Sequence, residues 1–260
     1  MLLVLSSLKG YAIEATDGRI GTVSDFLFDD RTWKLRWLVA DVGSWRASSK
    51  VLIHPSAITQ ADYQRQELSV TLTIEQVKAS PDILQDQPVS RQIEHDLHSY
   101  YGWDPLWSSN SYFSSNAMAS PILAPPFSLD FTDGEAAREA SEIGDDADKG
   151  DPHLRSAAEV NGNHIRATDG EIGHLENLLV DDATWELHYL IIDTKNWWPG
   201  QHVLLSPHAV GDISYLDEEI RLNVSCDQVR ASPPWEPAAA IDEAYEQRLH
   251  THYGWPGKWQ

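Results

Sequence analysis

The chain has 260 residues, 42% of them hydrophobic, and 40 acidic side chains against 19 basic ones, for a formal net charge of −21. That is apolar content enough for packed cores. The surface it implies repels nucleic-acid phosphates and anionic lipid headgroups, and no run of Lys or Arg offers a local exception. A single cysteine, Cys226, excludes an intramolecular disulfide.

From the N-terminus, Leu2-Leu3-Val4-Leu5 is too short for a signal-peptide core, and no stretch approaches the roughly 18 apolar residues of a spanning helix. Direct membrane insertion is therefore not expected, and a cytoplasmic location is. Asp17-Gly18 then supplies the dipeptide of a tight hairpin turn, and Asp29-Asp30 followed by Thr32-Trp33 marks a second turn. Trp33, Leu35, Trp37 and Val39 alternate as a strand does, and Leu38-Val39-Ala40 fills in the alternation, so the strand's far end should be covered on both faces. Val51-Leu52-Ile53 forms a short strand stopped by Pro55. Leu68, Val70, Leu72 and Ile74 alternate with polar residues, the period of a strand with one wet face. Thr73 and Gln76 have capping-box spacing for a helical turn, which Pro81 limits. Val89–Tyr101 has helix-forming composition and stops before Gly102, a suitable C′ residue.

All of this then returns 152 positions later. Gly10, Ile13, Ala15, Thr16, Asp17, Gly18, Ile20 and Gly21 recur as Gly162, Ile165, Ala167, Thr168, Asp169, Gly170, Ile172 and Gly173. Asp29, Asp30, Thr32, Trp33, Leu35, Leu38 and Asp41 recur as Asp181, Asp182, Thr184, Trp185, Leu187, Leu190 and Asp193. The tails agree as well, Tyr101-Gly102-Trp103 with Trp107 against Tyr253-Gly254-Trp255 with Trp259. One constant offset over about 100 residues means a duplicated unit, not a solenoid. Ile220, Leu222, Val224 and Cys226 repeat the alternating strand, with Cys226 in the place of Ile74, where it reads as a small buried hydrophobe. Ser225 with Gln228 repeats the capping box, and Ile241–Tyr253 repeats the helix.

Between the copies, residues 108–158 are rich in Ser, Asn and Pro and hold nine Asp or Glu against three Lys or Arg. Such a segment has too few apolar residues to offset its ordering entropy. The expected division is one repeat at 1–107, an acidic linker at 108–158 and a second repeat at 159–260. Short strands joined by hairpin turns point to small barrels. The fold class expected is mainly β, two small barrels each with a short C-terminal helical extension. The copies are expected to pack with pseudo-twofold symmetry through their helices and Tyr-Gly-Trp tails.

The order G-x-x-I-x-A-T-D-G-x-I-G, then D-D-x-T-W, then L-x-x-L-x-x-D, then V-L-x-x-P-x-A, resembles the PRC-barrel family. That family includes the cytoplasmic domain of the photosynthetic reaction-centre H subunit and the C-terminal domain of a ribosome maturation factor. The resemblance covers Gly10–Pro81 and Gly162–Pro233. It implies a compact β-barrel that binds other macromolecules and shares no catalytic residues. The H subunit's membrane helix and the maturation factor's RNA-associated domain have no counterpart here, so neither specialised role carries over.

Candidate chemistry is sparse. His95 and His98 share a helix face, but in the second copy only His250 corresponds, with His252 displaced, so no duplicated metal site is expected. The run from Asp145 to Asp151 lacks the ligand spacing of a calcium loop. Asp17 and Asp169, each followed by glycine (Gly18, Gly170), read as turn residues rather than catalytic acids. There is no nucleophile motif and no phosphate-binding loop. The expectation is a non-enzyme without metal or cofactor. Trp198, Trp107 and Trp259 are the candidate protein-binding residues, tryptophan being enriched at interaction hot spots. The expected function is a non-catalytic interaction module with an unidentified protein partner. The alternative is an accessory domain of a redox membrane complex, in the manner of the reaction-centre subunit.

Overall fold

The computed structural model describes residues 1–43, 50–80, 97, 100–102, 151–194, 202–214, 216–236 and 241–255. Fourteen strands among these form two seven-stranded sheets. The first half supplies β1 (Leu2–Val4), β2 (Ala12–Ala15), β3 (Gly18–Asp29), β4 (Leu35–Asp41), β5 (Lys50–Ile53), β6 (Ile58–Asp62) and β7 (Glu67–Val70). The second supplies β8 (Leu154–Ser156), β9 (His164–Ala167), β10 (Gly170–Asp181), β11 (Leu187–Asp193), β12 (His202–Leu205), β13 (Val210–Ser214) and β14 (Glu219–Leu222). One sheet runs β5-β4-β3-β2-β7-β6, the other β12-β11-β10-β9-β14-β13. Strand for strand the orders are the same, and β2 meets β7 in parallel just as β9 meets β14. Mainly β is thus the observed class, in two sheets of like topology.

The remaining two strands change sides. β1 pairs with β10 of the second half, Leu2↔Asp181 to Val4↔Leu179. β8 pairs with β3 of the first, Leu154↔Asp29 to Ser156↔Leu27. Residues 151–158, assigned to the linker on composition, are therefore part of the fold. Asp151 is buried and bound to Arg36 at 2.7 Å, and Ala157–Val160 forms a helical turn, α2. Three-residue strands offer too few alternations for a pattern to show, and their pairing is decided by a distant partner.

The halves also meet at their Asp-Asp-x-Thr-Trp turns. Trp33 and Trp185 were expected at the start of strands, but both lie in the turn, at φ 56° and 57°. That left-handed conformation is costly for a bulky residue. Here it aims each carbonyl at the other half, where Leu187 N–H donates to Trp33 O at 2.7 Å and Leu35 N–H to Trp185 O at 2.9 Å. Lys34 and Glu186 face each other between these bonds, Nζ to Oε1 2.7 Å apart. One apolar cluster runs through both halves, from Leu5, Phe26 and Phe28 to Ala157, Leu178, Val180 and Trp185.

A chain cut within residues 108–150 should consequently stay together. After cleavage at an inserted protease site there, the two fragments are expected to co-elute at the intact size in native buffer and to separate only in denaturant. Separation in native buffer would mean that the strand exchange does not hold the halves.

Both expected capping boxes form, one on α1 (Ile74–Ala79) with Thr73 and Gln76, the other on α3 (Cys226–Arg230) with Ser225 and Gln228. The alternating runs before them end earlier than their pattern suggests, because the capped helices take over Ile74 and Cys226. α4 (Glu243–Tyr253) starts on an Asp242 cap and ends at Gly254, φ 70°. It lays Tyr245 and Leu249 over Leu179, Tyr189, Ile191 and Leu204, the outer face of its own sheet. In the first half Leu97 and Tyr101 pack likewise with Trp37, Val39 and Leu52. The described parts of the helices and tails thus cover β11 and β4 on the side away from the main core, where Leu2 and Val4 of the first half join the α4 layer and Leu154 of the second half joins the layer of Leu97. This is why all of Leu35–Ala40 is buried, not only its far end.

Candidate functional site

Asp17 and Asp169 stand in the two-residue hairpin loops, and each has a second task. Asp17 Oδ1 accepts the Ile74 N–H at 2.8 Å and Asp169 Oδ1 accepts the Cys226 N–H at 2.7 Å, so each carboxylate tethers its hairpin to the first turn of the following helix. The glycines after them serve that packing. A Cβ on Gly18 would lie 3.3 Å from Ile74 Cδ1, and one on Gly170 would lie 3.1 Å from Cys226 Sγ. Gly18 does have a positive φ, 141°, but Gly170 lies outside the left-handed region, and its need for glycine is space.

The bond from Cys226 holds the Asp169 carboxyl below its ordinary value of 3.8. The folded state therefore favours the charged form. This contribution is complete above the unfolded value and is lost as the pH falls through the lowered one. Asp169→Asn should lower the melting temperature at pH 6 and should lose less than the wild type on further acidification to pH 3. Parallel acid-side curves for the two proteins would refute the tether.

Cys226 itself is 8% exposed and is a free thiol. Burial, with the Asp169 carboxylate beside it, pushes its pKa up to about 11. Thiolate is the reactive form, so native protein at pH 8 should react with iodoacetamide far more slowly than unfolded protein. Equal rates would place the thiol at the surface.

The second turns are similarly committed. Asp29 Oδ1 accepts the N–H groups of Arg31 and Thr32 at 3.0 and 2.9 Å, and Asp181 Oδ1 those of Ala183 and Thr184 at 2.9 and 3.0 Å. Asp30 binds His153 at 2.9 Å and Arg155 at 2.6 Å. Asp182 takes the Met1 ammonium group and the Tyr63 hydroxyl, and burial together with this carboxylate raises the Tyr63 pKa. In the covered layer, Tyr189 OH lies 3.1 Å from both Glu246 and His250, and burial first, then Glu246, raises its pKa. His252 Nε2 meets Gln228 O at 2.7 Å. Trp255 stacks on Tyr253, 4.1 Å between centroids, and both pack against the apolar cluster shared by the halves. Trp198, Trp107 and Trp259 lie outside the described residues, as do His95 and His98.

What the structure brings together instead is a cleft of about 170 Å³ between the halves. Its lining consists of five pairs 152 positions apart: Leu5 with Ala157, Ser6 with Ala158, Lys9 with Asn161, Asp25 with Asn177 and Phe26 with Leu178. The exchanged segments bring one member of each contact. Asp25 accepts from Ser156 Oγ at 2.5 Å and from the Ala158 N–H at 3.1 Å, while Asn177 donates to Ser6 Oγ at 2.6 Å and accepts the Ser6 N–H at 3.2 Å. Asn161 Oδ1 is buried and has no hydrogen-bond partner among the described residues. An oxygen left so favours a donor from a bound molecule or from water.

Residues 4–77 match the PRC-barrel domain family. The match runs from the end of β1 into α1 and thus takes in the first sheet's own strands. No curated protein sequence matches the chain. Among the described residues no helix is long and apolar enough to cross a membrane.

The cleft was not apparent in the sequence. Asp25 and Asn177 look like ordinary polar residues on a wet strand face, and only the strand exchange shows what they reach. A signal was present, however, in the repeat. At the offset, Lys9 faces Asn161 and Asp25 faces Asn177, polar positions kept polar yet changed in charge.

Proposed function

We propose that this chain is a non-catalytic interaction module, built from two PRC-type units that pack about a pseudo-twofold axis and bind a protein partner at the cleft on that axis. The cleft carries the reading: each half contributes the same five positions to it, and neither half alone would form it. The family match covers 4–77, and the like strand order of the second sheet supports reading the second half as a unit of the same kind. The Asp residues that could serve as acids, Asp17, Asp29, Asp169 and Asp181, hold backbone N–H groups and so support a scaffold over an enzyme. A partner's small apolar side chain fits between Phe26 and Leu178, with a donor for Asn161 Oδ1.

The test is capture of partners from the source cell, with membranes kept and with membranes removed, by wild type, Asn161→Trp and Trp198→Ala. Filling the cleft in Asn161→Trp should remove a captured protein while leaving the melting temperature within a few degrees. Loss with Trp198→Ala alone would move the binding surface to the 195–201 segment. Capture that requires membranes would favour the reading as an accessory domain of a redox membrane complex. Unchanged capture by both variants would overturn the proposed surfaces.

A further inference from the structure

Three side chains converge on the outer side of the second-half hairpin. His164 on β9 and His174 on β10 are register partners, their rings 4.6 Å apart between centroids. Glu171 joins them, its Oε1 3.2 Å from His164 Nδ1. His174 comes three positions after Glu171, and in a regular strand that odd spacing would put them on opposite faces. A register shift between Glu171 and Gly173 inserts one extra residue, and both side chains point outward while Ile172, Gly173 and Leu175 are buried. The first hairpin has the same shift, between Ile13 and Glu14, so the bulge belongs to the fold and only the side chains placed on it differ between the halves.

We propose that His164, Glu171 and His174 bind one divalent transition-metal ion of the zinc type. One ligand atom from each can be chosen so that all lie within 4.8 Å of one another. In a tetrahedral shell with bonds of about 2.0–2.1 Å, neighbouring ligand atoms are about 3.3 Å apart. The His164–Glu171 pair already has that separation, and rotation of exposed side chains closes the rest. Two imidazoles with one carboxylate suit zinc and its neighbours, whereas magnesium and calcium prefer an all-oxygen shell. Three protein ligands leave a fourth position to water.

The surroundings agree. Arg166, beside Glu171 in register, is turned to Glu219, at 3.4 Å, so a competing cation is drawn off. Glu176 pairs with His202 at 2.8 Å further along the same strand. Most telling is the first half, where Ala12, Arg19 and Thr22 hold the three matching positions in the same hairpin, Ala12 again opposite Thr22. The hairpin plainly forms without any of the three ligands. Their presence in one half alone needs another reason than folding.

That comparison also supplies the variant. His164→Ala, Glu171→Arg and His174→Thr together give these three positions the residues they hold in the first hairpin, and the product should fold. The full chain, stripped by a chelator, would be titrated with Zn²⁺ alone against a chromophoric competitor, and the imidazole resonances followed by NMR. Wild type should take up one tightest equivalent of Zn²⁺ and shift the His164 and His174 rings. The triple variant, and His174→Ala alone, should weaken that first equivalent by at least about tenfold. Mg²⁺ at the same concentration should leave both rings unmoved. An unchanged first equivalent in the triple variant, or Zn²⁺ uptake by the wild type without any shift of these two rings, would overturn the site. Should the triple variant fail to fold, His174→Ala and the ring shifts of the wild type still decide.

Discussion

Trp185→Ala should cost about 3–5 kcal/mol, the range for truncating a buried tryptophan, and should lower one transition for the whole molecule. The indole is 8% exposed and stacks on Phe26 of the other half, 6.4 Å between centroids at an interplanar angle of 22°. Alanine removes that contact and opens a void in the cluster shared by both halves. It gains nothing in return, because an alanine at φ 57° is still in the left-handed region. The backbone bond from Leu35 to Trp185 O depends on the same turn. Trp33 is the internal control. It has the same conformation, but it is only half-buried and stacks on Phe28 of its own half at 5.6 Å, so Trp33→Ala should cost less. Both variants would be compared with wild type in denaturant melts by fluorescence and by circular dichroism. Equal losses, or a split transition in which only the second half melts early, would contradict a shared core.

Much of the unit was legible because its rules are local. A hydroxyl three residues before a glutamine satisfies orphan amides within a single turn at a helix start, and both capping boxes form. Alternation over β4 and β11 identified strands, and the pairs Asp17-Gly18 and Asp169-Gly170 marked the hairpins. The tryptophans of the second turns were misplaced for an instructive reason. Trp33 and Leu35 both face the interior, so alternation cannot tell a strand from a turn whose last residue also points inward. Cys226 shows the same limit, since its spacing continues a strand while Ser225 and Gln228 end it.

Long-range pairing was the illegible part. Leu2–Val4 and Leu154–Ser156 are too short to carry a pattern, and what fixes them is a partner strand more than 120 positions away. The cleft follows from that exchange and was hidden with it. Composition also drew the linker too far. Asp151 looked like one more acid in an acidic run, whereas its carboxylate lies 2.7 Å from the buried Arg36 guanidinium. His164, Glu171 and His174 belong to no repeated motif, since Ala12, Arg19 and Thr22 stand in their places in the first half. A site confined to one copy shows as a difference at the offset, not as an identity.

Gly173→Ala should destabilise the protein by about 3 kcal/mol or more, the upper range for a forced overpacking. A Cβ built on Gly173 would lie 2.1 Å from Asp193 O and 3.1 Å from Asp193 C. Both atoms are main chain, on the neighbouring strand β11, and no rotamer change can move them away. Relief would require β10 and β11 to part where His174 pairs with Asp193. The first half repeats the approach, a Cβ built on Gly21 lying 2.0 Å from Asp41 O, so the two sheets share one close approach. Gly211 separates this steric effect from the general entropy of replacing glycine. It is exposed, has no positive φ, and its nearest neighbour would be Arg221 O at 3.5 Å, an ordinary contact. Gly211→Ala should therefore lie within about 1 kcal/mol of wild type, on either side. Chemical denaturation of the three proteins gives the comparison directly. If Gly173→Ala melted with Gly211→Ala, the backbones of β10 and β11 would not approach as closely as the structure places them, and the bulge that sets Glu171 beside His174 would lose its anchor.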